Sequence, residues 1–361
     1  MPSPPNTNVL QSTQGDGGVA ASSTRNLVEG QAGESRGWCF EHAKSLLILV
    51  VAVVLVFGMV LYGIFVYLPD GQSTVGSTAK GQSTVGSTAK GQTITPSGNT
   101  DPPSSVDWKT PWHSFNYKEL DVPASISTEA RQVTPSEATV VVDGLTVFYR
   151  EVNPQGAYAN ISVLMLHGAA FKSQTWYDLG TLGNLGLMGY RVVAIDVPGY
   201  GNSPSGTITD KAAFMQHLLA ALRLKDPVIV SPSMSGGLSL PFLIKHWQKM
   251  AGYVPVAPVG TNALLQVQCD TADAPVDVSQ VYAELRAYVP NPVPNLSCIK
   301  VPTMVVFGEH DRGSSSAILN LLPNSVAVEI PNGRHPAYLD DPKLWHQALY
   351  NFLLRLRQLR R

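Results

Sequence analysis

The sequence DPVIVSPSMSGGLSL at residues 226–240 runs from an apolar, β-branched segment through a turn of small residues into a segment that can form a helix. A strand, a sharp turn and a helix in this order are typical of a nucleophile elbow, which exposes a serine at the tip of the turn. Ser233 is at that tip. Ser231 and Ser235 stand where glycine is usual, and both side chains are small enough for the crowded turn. This pattern predicts that Ser233 is a nucleophile.

Ser235 is the alternative nucleophile, because its neighbours two positions away, Ser233 and Gly237, are also small. A buried strand that leads into an elbow should stay apolar to within one or two residues of the turn. Val230 is the last apolar residue before Ser231, and this spacing favours Ser233. Without the rest of the chain, the stretch is equally compatible with a Ser- and Gly-rich loop that has no chemistry.

Apolar strand segments and helical segments alternate on both sides of this stretch. Asp143 and Gly144, between two β-branched runs, predict a two-residue β-hairpin. Near-continuous apolar strands separated by helices are typical of a parallel sheet covered on both faces. We therefore expect an α/β domain with a mainly parallel sheet and an antiparallel hairpin at its edge. The predicted strands are 161–168, 191–196, 228–230, 253–258, 303–308 and 326–330, and the predicted helices are 174–188, 210–224, the elbow helix to 250, and 344–359.

A nucleophilic serine needs a base that takes its proton and a carboxylate that orients the base. Asp311 and His335 fall in loops directly after predicted strands, where an open α/β sheet places its site. The order serine, acid, histidine is also that of the α/β-hydrolase triads. Glu309 is the alternative acid. His310 is the alternative base, although it precedes Asp311 and follows no strand of its own.

An acyl-transfer site also needs backbone amides that face the oxygen on which negative charge develops. In this architecture one amide belongs to the residue after the nucleophile, and the other to the loop after an early strand. Met234 and Ala169 hold these two positions and are the predicted oxyanion donors. His167, at the start of the same loop, is expected to be structural.

The N-terminal part of the chain lacks this alternation. Residues 1–44 are rich in Ser, Gly, Pro, Asn and Gln, which predicts a disordered tail. Residues 45–68 carry no charge and are long enough to cross a bilayer core of about 30 Å as one helix. Residues 69–130 form a predicted linker in which GQSTVGSTAK occurs twice, with docking of the aromatic segment 108–117 on the domain as the alternative. The α/β domain is expected at 131–361.

Charges near the apolar span predict its orientation. Arg36 and Lys44 precede the span closely, which favours a cytoplasmic N-terminus and a luminal or extracellular domain, the single-pass type II arrangement. Asn160 and Asn295 begin glycosylation sequons, which agree with a luminal domain.

Composition argues against nucleic acid as a partner. The net charge is −1 and only 14% of residues are charged, so no basic stretch could neutralise many phosphates. The arginines of the C-terminal tail are expected on the solvent face of a terminal helix; they are Arg355, Arg357, Arg360 and Arg361.

Two of the three cysteines, Cys269 and Cys298, bracket a single loop region within a predicted insertion near 259–300, where a cap over the site would lie. They could pair in an oxidising compartment, and two buried free thiols are the alternative. Three cysteines without a C-x-x-C pattern form neither a disulfide scaffold nor a metal site.

Six motifs extend over most of the domain: HGAAFKSQTW (167–176), GYRVVAIDVPGYGNS (189–203), SPSMSG (231–236), VPVAP (254–258), GEHD (308–311) and RHPAYLDDP (334–342). Together they resemble the α/β-hydrolase superfamily and, within it, the abhydrolase domain-containing protein 14 family. The apolar span further resembles the membrane-anchored A-type branch of that family. The resemblance implies an α/β-hydrolase fold with a triad at Ser233, Asp311 and His335.

The sequence therefore predicts a membrane-anchored serine hydrolase that acts on a small acyl-containing substrate, an ester, thioester or amide, without a cofactor or metal. The resemblance implies an alternative, acyl transfer to coenzyme A, because the B-type branch is associated with CoA-dependent protein-lysine deacetylation. A non-catalytic binding or developmental signalling module on a hydrolase scaffold is the other alternative, because a fold alone certifies no activity. No protein partner follows from the sequence.

Overall fold

An eight-stranded sheet lies at the centre of the computed structural model, which describes residues 106–156, 158–269 and 273–360. Its strands are β1 (Ser136–Val142), β2 (Leu145–Val152), β3 (Ser162–Met165), β4 (Arg191–Ile195), β5 (Val228–Pro232), β6 (Gly252–Val256), β7 (Thr303–Gly308) and β8 (Ser325–Ile330). Their order across the sheet is β1-β2-β4-β3-β5-β6-β7-β8. β2 is antiparallel to β1 and β4, and the other neighbours are parallel. The mainly parallel sheet is thereby confirmed.

Helices cover both faces of this sheet. In the described part of the chain they are α1 (Ala124–Glu129), α2 (Ser173–Asp178), α3 (Thr181–Leu187), α4 (Lys211–Ala221), α5 (Gly236–His246), α6 (Ser314–Leu319), α7 (Ala337–Asp340) and α8 (Pro342–Leu359). Successive side chains of a strand point to opposite faces. Val163 and Met165 of β3 accordingly join a core with α2, α3 and α8, whereas Leu164 joins a second core with α4, α5 and α6.

The edge hairpin has the predicted turn. Asp143 and Gly144 have φ values of 51° and 79°, so both central residues have the positive φ that a tight two-residue turn needs. The turn pairs Val142 directly with Leu145. The local Asp-Gly signal was therefore sufficient to predict the register of the hairpin.

The prediction of one helix over 174–188 is wrong. Gly180 has a φ of 80°, a left-handed conformation that ends α2 and lets the chain turn before α3 begins. The elbow helix is also shorter than predicted, because α5 ends at His246 and a single 3-10 turn, Trp247–Lys249, follows it.

The segment before the sheet lies on the domain, so the docked alternative describes residues 106–130. Trp112 and Phe115 are buried and join the core that α8 covers. The Arg355 guanidinium of α8 lies 3.8 Å from the centroid of the Trp112 ring and 4.5 Å from that of Phe115. A cation over aromatic faces is attracted by their electron density. The domain therefore begins before residue 131.

The expectation that Arg355 lies on the solvent face is wrong as well. The residue is 2% exposed, and its guanidinium donates to the Thr110 carbonyl. Burial lowers the pKa of Arg355 to about 10. Asn351, one turn earlier on α8, accepts from the Leu120 N–H at 3.0 Å and donates to the Leu120 carbonyl at 2.8 Å. The inner face of α8 thus bonds the segment at two places.

The insertion contains short 3-10 helices at Thr261–Gln266, Val278–Gln280 and Ala283–Tyr288. Cys269 and Cys298 form a disulfide with their Cα atoms 5.3 Å apart. Of the two alternatives for these cysteines, the structure shows the pair.

The predicted tail 1–44, the predicted span 45–68 and the repeat-bearing part of the linker lie outside the described residues. Among the helices that the structure does describe, none combines the length and the apolar character needed to cross a membrane.

Candidate active site

Ser233 stands at the tip of the turn between β5 and α5. Its φ is 49°, a left-handed conformation that is costly for a residue with a Cβ and that is characteristic of a nucleophile elbow. The turn is tightly packed. A Cβ on Gly236 would lie 2.4 Å from the Val259 carbonyl oxygen, so only glycine fits where the helix starts. The chain thus holds the Ser233 side chain at the carboxyl edge of the sheet.

Ser235, the alternative nucleophile, points away from this edge. It is 1% exposed, and its hydroxyl donates to the Pro232 carbonyl at 2.7 Å. Ser233 is partly exposed. The geometry therefore favours Ser233 as the reactive serine.

The structure brings the three predicted triad residues into one hydrogen-bonded chain. Ser233 Oγ lies 2.8 Å from His335 Nε2, and His335 Nδ1 lies 2.7 Å from Asp311 Oδ2. A carboxylate only accepts, so the Nδ1–H of His335 donates to Asp311. Nε2 then carries no hydrogen and accepts from the Ser233 hydroxyl. This tautomer is the one that a general base needs.

Asp311 changes the protonation of His335. The hydrogen bond that Asp311 accepts from His335, and the negative charge of Asp311, raise the pKa of His335 above its ordinary value of 6.5, while partial burial opposes this change. Asp311 thus both orients the ring and favours the imidazolium that forms when His335 accepts a proton.

The alternative acid has a different role. Glu309 Oε2 accepts from the Asn332 N–H at 2.9 Å, and this bond lowers the pKa of Glu309. His310 donates its backbone N–H to the Gly333 carbonyl at 2.9 Å. Both residues therefore tie the loop after β7 to the loop that carries His335.

Two ion pairs that sequence reasoning missed hold the same loops. Arg312 makes a bidentate contact with Glu329 of β8, with both N–O distances at 2.6 Å. Arg334 binds Asp340 through its guanidinium at 2.6 Å. Glu329 is the only acidic residue in the apolar strand β8. This isolated charge was the sequence feature that could have indicated an ion pair. Asp311 and His335 are thus each next to an anchored arginine.

The predicted oxyanion loop lies against the nucleophile. A Cβ on Gly168 would lie 3.4 Å from the Ser233 Cβ, so the backbone that leads to Ala169 passes beside the serine. The buried His167 holds this backbone, because its Nδ1 donates to the Gly168 carbonyl at 2.8 Å and its Nε2 accepts from the Val197 N–H at 2.9 Å. Ala169 is exposed, and Met234 follows the serine directly. Their assignment as oxyanion donors stays a prediction.

Replacement of Gly308 by alanine should destabilise the domain by about 1–3 kcal/mol, because it overpacks the contact between the two triad loops. A Cβ there would lie 2.3 Å from the Gly333 carbonyl oxygen and 2.4 Å from that of Arg334. Chemical denaturation measures the effect. Gly313→Ala is the matched control, since its Cβ would meet nothing within 4 Å. Equal stabilities of the two variants would contradict the prediction.

The two predicted glycosylation sites, Asn160 and Asn295, lie in the described part of the chain. Asn160 is exposed, and Asn295 is half-buried with its Oδ1 accepting from the Ser297 N–H at 3.0 Å. Within the described ranges, no cluster of three or more His, Cys, Asp or Glu side chains is arranged to hold a metal ion.

A family model described as the alpha/beta hydrolase family matches residues 163–286. Human ABHD14B, named "Putative protein-lysine deacylase ABHD14B", is 36% identical over 233 residues, which cover 62% of this chain and 98% of that protein. Human ABHD14A is 36% identical over 225 residues, 59% of this chain and 73% of that protein. A solved CIB-like hydrolase from Thermoplasma acidophilum is 22% identical with a TM-score of 0.48, covering 61% of this chain and 98% of that one.

Proposed function

Because this chain belongs to the ABHD14 family of α/β-hydrolases, we propose that it is a serine hydrolase that cleaves an ester, a thioester or an amide. The observation that carries the proposal is the continuous chain from Asp311 through His335 to Ser233, with bonds of 2.7 and 2.8 Å. The left-handed conformation of Ser233 supports it, because such strain collects at functional sites.

In the proposed reaction, Ser233 Oγ attacks the carbonyl carbon while its proton moves to His335 Nε2. Asp311 stabilises the imidazolium that results, and the amides of Ala169 and Met234 stabilise the oxyanion. His335 then gives the proton to the leaving group, and the acyl-enzyme forms. Water attacks that ester with His335 again as the base, which releases the acid and restores Ser233.

A fluorophosphonate probe tests this proposal directly, because it forms a covalent bond only with an activated serine. The full chain is incubated with the probe, digested, and its adduct located by mass spectrometry. We expect the adduct on Ser233 and none on Ser235. Folded protein that carries no adduct would overturn the catalytic proposal and favour the non-catalytic binding module.

The rate should fall on acidification with an apparent pKa above 6.5. His335 must be neutral at Nε2 to accept the Ser233 proton. Since Asp311 raises the pKa of His335, protonation blocks the base at a higher pH than it would block a free histidine. A profile of kcat/KM for a chromogenic ester from about pH 5 to 9 measures this. An acid limb centred below 6.5 would contradict the expected role of Asp311.

Deacylation of lysine is the second candidate within the same chemistry, and the name of human ABHD14B favours it. An acyl-lysine amide would take the place of the ester, and the acyl group would pass to water or to a thiol such as coenzyme A. Incubation with an acetyl-lysine peptide, with and without coenzyme A, separates the two acceptors. Acetate alone indicates hydrolysis, whereas acetyl-CoA indicates transfer.

We further propose that residues 45–68 anchor the enzyme in a membrane with the hydrolase domain on the luminal side. Their uncharged sequence supports the anchor. The disulfide between Cys269 and Cys298 supports an oxidising compartment, in which such bonds persist. Protease protection of the domain in sealed microsomes tests this topology. Digestion of the domain without detergent would contradict it, and would make cytosolic coenzyme A accessible to the site.

A further inference from the structure

Four buried hydroxyl groups form a hydrogen-bonded cluster at the turn that carries Ser233, and they have no part in the mechanism above. They belong to Ser231 at the end of β5, Ser235 in the elbow, Ser239 in α5 and Tyr253 in β6. None of these residues is more than 1% exposed. Buried hydroxyls are costly unless they are hydrogen-bonded, so their partners matter for the shape of the elbow.

The Pro232 carbonyl fixes the direction of the hydrogen bonds among these groups. A carbonyl oxygen only accepts, so the one hydroxyl hydrogen of Ser235 points to Pro232 O, 2.7 Å away. Ser235 Oγ can then only accept from Ser231 Oγ, which lies 3.0 Å from it. The single hydrogen of Ser231 is thereby also assigned.

The same argument assigns the remaining two hydrogens. Ser231 Oγ has no hydrogen left for Ser239 Oγ at 2.7 Å, so Ser239 is the donor. Tyr253 must then donate to Ser239 at 2.8 Å. Burial raises the pKa of Tyr253, which keeps its hydroxyl protonated as this direction requires. The result is a one-way hydroxyl chain from Tyr253 through Ser239, Ser231 and Ser235 to the Pro232 carbonyl.

We propose that Tyr253 is a positioning residue for Ser233 and acts through this one-way hydroxyl chain. The inference rests on the proposed function. The Pro232 carbonyl belongs to the peptide bond that carries the Ser233 N–H, so the chain ends on the backbone of the nucleophile itself. Hydrogen bonds in series polarise and strengthen one another. The chain therefore joins β5, α5 and β6 around a peptide that must hold the unfavourable φ of 49° at Ser233.

This role also accounts for the serines in the elbow. Glycine at 231 and 235 would satisfy the steric demand of the turn but would supply no hydroxyl, so the chain would end at Ser239. The two serines keep the small size and add the hydrogen bonds that extend to Pro232.

Tyr253→Phe tests the proposal with Tyr190→Phe as a matched control. Tyr190 is also buried, at 1% exposed, but its hydroxyl has no hydrogen-bond partner in the described structure. In the full chain we expect Tyr253→Phe to lower kcat and the rate of fluorophosphonate labelling about fivefold with KM unchanged, the effect of one lost hydrogen bond. Tyr190→Phe should change neither value. Adding Ser239→Ala to Tyr253→Phe should lower both values further, because Ser239 is the next donor of the chain towards Pro232.

Equal labelling rates for Tyr253→Phe and Tyr190→Phe, in samples that are equally folded, would overturn the inference. Amide hydrogen exchange at residues 233–236 provides a readout that does not depend on catalysis. Exchange there should be faster in Tyr253→Phe than in Tyr190→Phe, and equal exchange would also overturn the inference. If the unmodified chain takes no probe on Ser233, the proposed function fails, and the exchange data alone then decide whether Tyr253 orders the elbow.

Discussion

Ser233→Ala should abolish labelling by the fluorophosphonate probe and lower ester hydrolysis by at least about a thousandfold. The reason is chemical, because in the described part of the chain Ser233 is the residue whose hydroxyl is hydrogen-bonded to the base. His335 Nε2 accepts from Ser233 Oγ at 2.8 Å, whereas Ser235 Oγ is buried and donates to the Pro232 carbonyl. Alanine keeps the Cβ of the elbow and removes only the attacking oxygen.

Ser235→Ala is the control for this substitution. It removes one hydroxyl of the one-way chain and leaves the triad in place, so labelling should slow but the adduct should stay on Ser233. Circular dichroism and thermal unfolding of each variant establish that both are folded. Retention of the label in Ser233→Ala, together with its loss in Ser235→Ala, would reverse the assignment of the nucleophile.

Asp311→Asn should lower kcat by about 10⁴-fold while the fold is preserved. Asparagine can present its amide N–H₂ to His335 Nδ1, which would then accept, and the ring hydrogen would move to Nε2. A protonated Nε2 cannot take the hydrogen of Ser233. The substitution also removes the charge that raises the pKa of His335, so any residual activity should persist to lower pH.

Glu309→Gln is the matched control for Asp311→Asn, because it makes the same chemical change two residues away. Glu309 accepts a hydrogen bond from the Asn332 N–H and not from His335. The Glu309→Gln variant should therefore keep nearly full activity. Steady-state kinetics of both variants with one ester measure the difference. A larger loss in Glu309→Gln than in Asp311→Asn would make Glu309 the acid and contradict the geometry.

The parts of the fold that depend on residues close together in the sequence could be predicted from the sequence. The hairpin at Asp143 and Gly144 is a local turn signal, and the elbow at Ser233 is a local change from an apolar strand to small residues. The positions of Asp311 and His335 followed from one general fact, that parallel strands bring their carboxyl ends to the same edge. The structure places these side chains in contact there.

The parts that depend on contacts between residues far apart in the sequence could not be predicted in this way. The bond from Arg355 to Thr110 joins residues separated by 245 positions, and no local pattern shows that an arginine near the C-terminus will pack against two aromatic rings. Propensity also misled at Gly180, because a single glycine within an apolar helical pattern is compatible with an unbroken helix until its φ is known. Tertiary packing decided the first case, and the left-handed backbone at Gly180 decided the second.

The docking of residues 106–130 on α8 decides how this protein should be produced. A version that starts at residue 131, where the alternating pattern begins, would expose the part of α8 that packs against Trp112 and would leave the buried Arg355 without its two aromatic rings. Such a protein would be expected to aggregate, and its lack of turnover would reveal nothing about the chemistry of the serine. Expression that starts at or before residue 106 avoids this confusion between an inactive enzyme and an incomplete one.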